Sequence, residues 1–249
     1  MPSTNVLISG ANRGLGLGLV KRFLGLPEHT VIALTRDPSS PSSVSLTTLP
    51  THPSSRLIVI RYEGGVESDA FDAATALRTI HEITHLDIVI ANAGIGKLYP
   101  LVKDVQRADI LEHVNVNVLA VVSLFQASRA LLEQSSFAKK PVFAIMGSGA
   151  GSLGRQPPVP SAVYGASKSM VNWYGVRINA EEEWLNTFVI EPGWAKTDMG
   201  NSAAQLWGLE EAPDSVEDVC DGIVKLVQEG KKEEFGGKVV KYTGEVLEW

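Results

Sequence analysis

Asn5-Val-Leu-Ile-Ser-Gly-Ala-Asn-Arg-Gly-Leu-Gly-Leu-Gly-Leu-Val-Lys-Arg-Phe23 decides the fold. A short apolar strand, Asn5–Ser9, runs into a turn carrying Gly10, Gly14 and Gly16, and the turn runs into a helical pattern that reaches Phe23. One glycine for the turn, one where backbone must approach a phosphate, and one where helix meets strand are what seating a pyrophosphate on a helix N-terminus requires. The spacing is Gly-x-x-x-Gly-x-Gly, not the commoner Gly-x-Gly-x-x-Gly, so the strand–turn–helix context carries the reading. Gly10, Asn12, Arg13, Gly14, Leu15 and Gly16 are the candidate cofactor contacts of this turn.

Outward from it, runs rich in Val, Ile and Leu recur between longer stretches of helical spacing, as buried parallel strands joined by crossover helices do. Strands are predicted at Asn5–Ser9, Thr30–Leu34, Leu57–Ile60, Leu86–Ala91, Pro141–Met146, Thr187–Glu191 and Lys238–Tyr242. This β-α-β-α order predicts a single α/β domain over 1–249, a Rossmann-type, doubly wound, seven-stranded parallel sheet. Such sheets bind ligands beyond the carboxyl ends of their strands, which directs attention to the residues after Ser9, Leu34, Ile60, Ala91, Met146 and Glu191. The Pro- and Ser-rich segment 37–55 reads as a surface loop replacing part of a crossover helix. Residues 195–215, with Leu206 and Trp207 among small and acidic residues, read as a substrate loop or lid.

Composition narrows the function. In 249 residues, 44% are hydrophobic and 20% charged, the balance of a folded globular chain. A net charge of −6 gives no general attraction to phosphate backbones or anionic lipid, so neither nucleic acid nor membrane is an expected partner. The single cysteine, Cys220, suits a reducing compartment. No basic-plus-apolar leader opens the sequence and no unbroken apolar run reaches a membrane span, which makes a cytoplasmic location the expectation.

The second strand specifies the cofactor. A site for NAD ends this strand in a carboxylate that takes the ribose 2′-hydroxyl, whereas a 2′-phosphate calls for arginine. Val31-Ile-Ala-Leu34 is followed by Thr35-Arg36, and Arg13 lies in the glycine turn, so NADP(H) is expected. Asp37 is the contrary signal: a register shift of one residue would put a carboxylate in that place.

Tyr164-Gly-Ala-Ser-Lys168 sets a phenol and an ammonium four apart on one helix face, where a cation stabilises phenolate and makes the tyrosine a usable acid or base. Tyr99-Pro-Leu-Val-Lys103 has the same spacing. Pro100 disfavours helical backbone at Tyr99, so this second copy reads as a loop lining a pocket.

Gly10–Gly16, Asn92-Ala93-Gly94, Asn117, Ser148, Tyr164 with Lys168, and Pro192-Gly193 with Thr197 resemble, in order and spacing, the compact short-chain dehydrogenases/reductases. The resemblance spans nearly the whole chain. Through Ser9–Gly16 and Glu191-Pro-Gly-Trp-Ala-Lys-Thr-Asp-Met199 it is most similar to fungal norsolorinic-acid-type ketoreductases and sniffer-like carbonyl reductases. The resemblance implies an oxidoreductase that reduces the carbonyl of a small-molecule ketone or aldehyde. It implies Tyr164 as proton donor, Lys168 holding the nicotinamide ribose and lowering the tyrosine pKa, and Ser148 orienting the carbonyl. Asn117 would hold a relay water, with Asn115 as a competitor. Asn92, Ala93 and Gly94 would pack beside adenine and its ribose, and Pro192, Gly193 and Thr197 would take nicotinamide and pyrophosphate. A homodimer or homotetramer through helices near 104–132 and 162–183 is implied as well.

Three departures from the family pattern stand out. Gly147 replaces a common serine; Ser148 precedes Tyr164 by sixteen residues, with the extra length in Arg155–Pro160 and Ser152 and Ser161 as rival serines; and Glu63 stands where an adenine-binding Asp is usual. Trp194, Trp207, Tyr99 and Leu153 are candidates to line a pocket for an aromatic or polyketide-like carbonyl. His81-Glu-Ile-Thr-His85 matches the zinc-peptidase pattern literally, but a strand begins at Leu86 where the metal-binding helix should continue, so the histidines read as a helix's last turn and no metal is expected. A non-catalytic NADP(H) sensor of the same fold is the alternative; it predicts loss of Ser148, Tyr164 or Lys168, and all are present. A nucleotide-sugar epimerase would carry a larger C-terminal substrate domain.

Overall fold

The computed structural model describes residues 3–135 and 140–249. The first half builds β1 (Thr4–Ser9), α1 (Gly14–Gly25), β2 (His29–Thr35), α2 (Pro41–Val44), β3 (Arg56–Arg61), α3 (Glu67–Thr79) and β4 (Ile88–Ala91). After it come α4 (Arg107–Val114), α5 (Ala120–Glu133), β5 (Val142–Met146), α6 (Tyr164–Glu181), β6 (Asn186–Glu191), α7 (Asp198–Leu206), α8 (Val216–Glu229), α9 (Lys232–Phe235), β7 (Val239–Lys241) and β8 (Val246–Leu247).

The strands form one sheet in the order β3-β2-β1-β4-β5-β6-β7-β8. The direction of winding reverses between β1 and β4, and that switch point opens the crevice where such sheets take ligands. β1 pairs with β2 through Val6 opposite Val31 and with β4 through Val6 opposite Ile88, both parallel. Among the described residues the sheet has eight strands, not seven: β8 folds back antiparallel on β7, with Val240 opposite Val246. A two-residue strand leaves no periodicity to read, and only pairing with β7 makes it one.

The two faces carry separate apolar layers. Leu7, Ile32, Leu34, Val89, Phe143 and Ile145 face α3, α5 and α6. Val6, Ile8, Val31, Ile88, Ala144 and Phe188 face α1 and α8. Phe23, Phe143 and Phe188 are fully buried, each contributing about 1.5–3 kcal/mol of transfer free energy. β2 is buried along its whole length, which is why its sequence shows no alternation.

The 37–55 segment is largely loop, with α2 and a 3₁₀ turn at Ser45–Thr48 as the remnant of a crossover helix. Between α4 and α5 the helix widens into a π turn at Asn115–Leu119, giving continuous helix over Arg107–Glu133. That stretch is long and apolar enough by composition to cross a membrane. Here its inner face is packed in the protein through Val118, Val121, Leu124, Leu131 and Leu132. His81 and His85 lie outside any helix, because α3 ends at Thr79. His85 Nε2 lies 3.2 Å from Asn5 Nδ2 and 3.4 Å from the Asp87 carboxylate, a structural tie at the sheet's amino end. Among the described residues no cluster of His, Cys, Asp and Glu is arranged to hold a metal.

Candidate active site

The glycine turn meets β4's exit at van der Waals limits. Gly10 and Gly14 have φ of +64° and +52°, a region that side chains disfavour. A Cβ on Gly16 would lie 2.1 Å from the Gly10 carbonyl oxygen, and one on Gly10 3.0 Å from Ala93 Cα. Ser9 Oγ accepts from the N–H groups of Asn92 and Ala93, while Asn92 Nδ2 donates to the carbonyls of Ser9 and Gly10. α1 then starts with no acidic residue in its first turn and no side-chain cap, so its N-terminal N–H groups face the crevice end of the sheet as an anion seat. The cradle fits a pyrophosphate.

At the end of β2, Arg36 is exposed, as is Arg13 across the turn. Asn12 Nδ2 donates to Ser42 Oγ at 2.9 Å and Ser43 Oγ at 3.2 Å, tying the turn to α2. Asp37 is committed elsewhere: its carboxylate accepts from the Ser39 N–H and hydroxyl, which lowers its pKa. Beyond β3, the Glu63 N–H donates to Asp69, whose carboxylate also pairs with Arg61 at 2.7 Å. Asp69 escaped sequence reasoning, because its burial and its partners exist only in the fold.

The other half of the site is set by α6. Tyr164 and Lys168 lie one turn apart, and Lys168 Nζ sits 5.8 Å from the Tyr164 ring centroid while donating to the Met146 carbonyl at 2.7 Å. Burial lowers the Lys168 pKa from 10.5 to about 8. Burial also raises the Tyr164 pKa, and its hydrogen bond with Ser148 only partly opposes this. The lowering expected from Lys168 does not set the direction; desolvation does. Ser148 sits at the exit of β5, and its hydroxyl accepts from the Ala150 N–H. Of the rival serines, Ser152 takes the Arg155 N–H and Ser161 caps Gly165, so both are spent on local structure.

Asn117 lies in the π turn, a device that bends a helix to aim particular groups. Its amide ties two elements together: Oδ1 accepts the Ile95 N–H, and Nδ2 donates to the Ile95 carbonyl and to Ser167 Oγ. A Cβ on Gly94 would stand 3.2 Å from Asn117 Oδ1 and 3.6 Å from Lys168 Nζ, which places the β4 loop against both. Asn115 instead donates to the Gly65 carbonyl. Ser167, which sequence reasoning passed over, couples Asn117 to the helix of Tyr164 and Lys168.

The β6 exit closes the ring. Gly193 has φ +69°, and the Trp194 N–H donates to Asp214 at 2.6 Å. Thr197 caps α7 by accepting the Gly200 N–H, and its methyl would stand 3.3 Å from a Cβ on Gly14. Pro192–Thr197 thus abuts the glycine turn. The 195–215 segment contains α7 instead of an irregular loop. Its ends are joined by an Ala195–Asp214 bridge and the Lys196–Glu211 ion pair. Tyr99 packs edge-on to Tyr164 at 5.8 Å and to Trp207 at 5.3 Å, and Trp207 packs on Trp194 at 5.3 Å. Leu153 is mostly exposed, on a loop whose Arg155 pairs with Glu191 at 2.9 Å.

The family model described as short chain dehydrogenase matches residues 4–206. The norsolorinic acid ketoreductase nor1 of Dothistroma septosporum is 37% identical over 99% of this chain and 92% of its own. The norsolorinic acid ketoreductase of Aspergillus parasiticus is 35% identical over 99% and 91%. Among solved structures, the NADPH-bound carbonyl reductase from chicken fatty liver superposes with a TM-score of 0.87 at 25% identity, covering all of both chains.

Proposed function

The chain belongs to the short-chain dehydrogenase family, and from that premise we propose that it is an NADPH-dependent reductase of ketone or aldehyde carbonyls. The observation that carries the proposal is the convergence of Ser148, Tyr164 and Lys168 beside a glycine cradle shaped for a dinucleotide. Gly10–Gly16 would hold the pyrophosphate, Arg13 and Arg36 the 2′-phosphate, Asn92–Gly94 and Glu63 the adenosine end, Lys168 the nicotinamide ribose, and Pro192, Gly193 and Thr197 the nicotinamide end. NADPH, when bound, supplies the hydride that reduces the carbonyl carbon. Asp37's attachment to Ser39 supports Arg36 as the residue that reads the 2′ position.

Tyr164 donates its proton to the substrate oxygen, and its raised pKa suits that direction by keeping it protonated at neutral pH. Ser148 holds the same oxygen by a hydrogen bond that strengthens as negative charge develops. Lys168, charged below about pH 8, then stabilises the phenolate left behind. Asn117 would hold a water that relays protons from Lys168. Residues 195–215 act as the lid over the substrate. The relatives' names support an aromatic or polyketide-like ketone as substrate. Homo-oligomerisation through the 104–132 and 162–183 helices and a cytoplasmic location complete the reading; light scattering that shows a monomer removes the former.

The deciding experiment titrates the protein with NADPH and NADH and follows NADPH oxidation with quinones and aromatic ketones. Preferential NADPH binding and ketone-dependent turnover are expected. Arg36→Ala weakens NADPH binding by about tenfold or more, with little effect on NADH, as loss of a charge-assisted contact requires. Binding without turnover on any carbonyl would favour the non-catalytic sensor.

A further inference from the structure

The turn that carries Ser148 is held on both flanks by the last residues of β6. Gly147 donates its N–H to the Ile190 carbonyl at 2.8 Å, and a Cβ on Gly149 would lie 3.3 Å from the Glu191 carboxylate. The other side of the turn rests on α6. A Cβ on Gly151 would meet Lys168 Cβ at 2.7 Å, and one on Gly165 would meet the Ala150 carbonyl oxygen at 2.6 Å. Ser148 thus opens a turn wedged between the helix of Tyr164 and Lys168 and the Glu191 carboxylate. Gly149, Ala150 and Gly151 bring nothing larger than a methyl group, so the turn has no side chains with which to lock itself and takes its position from its walls.

Arg155 keeps the outer wall in place. Its Nη2 lies 2.9 Å from Glu191 Oε2, in a pair whose side chains are 33% and 13% exposed. Arg155 Nε donates to the Glu248 carbonyl at 3.1 Å and the Gly154 N–H to the Trp249 carbonyl at 2.8 Å, so the segment after β8 fixes the guanidinium from behind. Without that cation the carboxylate, still within reach of water, turns outward to be solvated and leaves Gly149 unsupported. Arg155 is also the first residue of the stretch that lengthens the spacing from Ser148 to Tyr164. The extra length brings its own anchor, and the anchor ends on the carboxylate against the Ser148 turn.

We propose that Arg155 and Glu191 are positioning residues for Ser148: their ion pair presses the turn onto α6, so that the serine hydroxyl and the Tyr164 phenol address one oxygen. The inference rests on the reductase reading above and goes beyond it in assigning what aims the serine. The pair acts through Ser148 and is given no contact with substrate or cofactor.

Arg155→Met keeps most of the stem and removes the charge. With phenanthrenequinone as the carbonyl probe, kcat should fall about tenfold while the Kd for NADPH changes by less than about twofold, as misplacing a group that must meet the transition state requires. Arg155→Lys, which returns a cation to Glu191, recovers part of the loss. Ser148→Ala supplies the comparison that a merely structural ion pair would fail. Added to it, Arg155→Met should lower kcat by less than about twofold, because a hydroxyl that is absent cannot be misplaced. Amide exchange followed by NMR reads the same clasp without turnover. The Ala150 N–H, which donates to Ser148 Oγ at 3.2 Å, should exchange about tenfold faster in Arg155→Met, with the β1 amides unchanged. Losses that multiply in the double variant, or unchanged exchange at Ala150, overturn the proposal. A wild type that binds NADPH but reduces neither the quinone nor any ketone defeats the reductase reading, and exchange at Ala150 still decides whether the pair holds the turn.

Discussion

Tyr164 and Lys168 lie one turn apart on α6, with the ammonium buried and donating to the Met146 carbonyl. Tyr99 and Lys103 have the same separation in sequence, but Pro100 keeps Tyr99 in a loop, and Lys103 is about three-quarters exposed and paired with its neighbour Asp104. One pair couples a phenol to a desolvated cation. The other sends its ring inward and its charge outward. The contrast teaches that the four-residue spacing is chemistry only where backbone and burial make it so: the helix aligns the side chains, and the loss of water gives the charge its reach.

The largest effect that separates the pairs is on turnover. Tyr164→Phe should lower kcat by about a thousandfold, within the range for a lost general acid, with NADPH binding intact. Tyr99→Phe should cost less than about tenfold. Comparable losses in steady-state kinetics would erase the distinction between the two tyrosines.

The lysines differ in how they respond to pH. The folded Lys168 pKa of about 8 lies below the ordinary 10.5, so between these values the unfolded chain holds a proton that the folded chain has released. This group's contribution to stability therefore rises with pH across that window, and the full cost of burying an ammonium is felt below pH 8. Lys168→Met should raise stability by up to about 3 kcal/mol at pH 7, and the gain should vanish above pH 10.5 while activity is lost. Lys103→Met, at an exposed ion pair, should leave the unfolding midpoint nearly unmoved. Denaturant unfolding at pH 7 and near pH 10 checks both.

A smaller effect sharpens the comparison. Ser167→Ala leaves one of the two buried Asn117 Nδ2 hydrogens unpaired, which should cost about 1–3 kcal/mol in thermal unfolding and lower kcat with little change in cofactor affinity. Ser167 lies inside the helical Tyr-x-x-x-Lys segment, so a silent substitution would detach Asn117 from the helix of Tyr164 and Lys168.

Much of the molecule was legible in its sequence where the signal is local. The parallel strands are short buried runs, the glycine turn is dictated by steric limits at Gly10, Gly14 and Gly16, and α6 follows from an unbroken helical segment. Legibility fails at β8, whose two residues become a strand only by pairing with β7, and at α7, which forms where a lid loop was expected. His81 and His85 were placed at the end of a helix that stops at Thr79, two residues earlier than the first of them. Asp69 and Ser167 gave no signal because their partners, Glu63's N–H and Asn117's amide, become partners only once the chain folds.

Sequence alone therefore determined the α/β architecture and the glycine turn, and marked Tyr164 and Lys168 as candidates, because periodicity, glycine sterics and helical spacing act over a few residues; Ser148 became a candidate through the family resemblance. Only the tertiary structure decided that desolvation would raise Tyr164 and lower Lys168, that Asn117's amide would bridge Ile95 and Ser167, and that Tyr99 would join Trp207 and Trp194 beside Tyr164. Burial and aromatic contact between segments tens of residues apart exist only after packing excludes water and fixes distance.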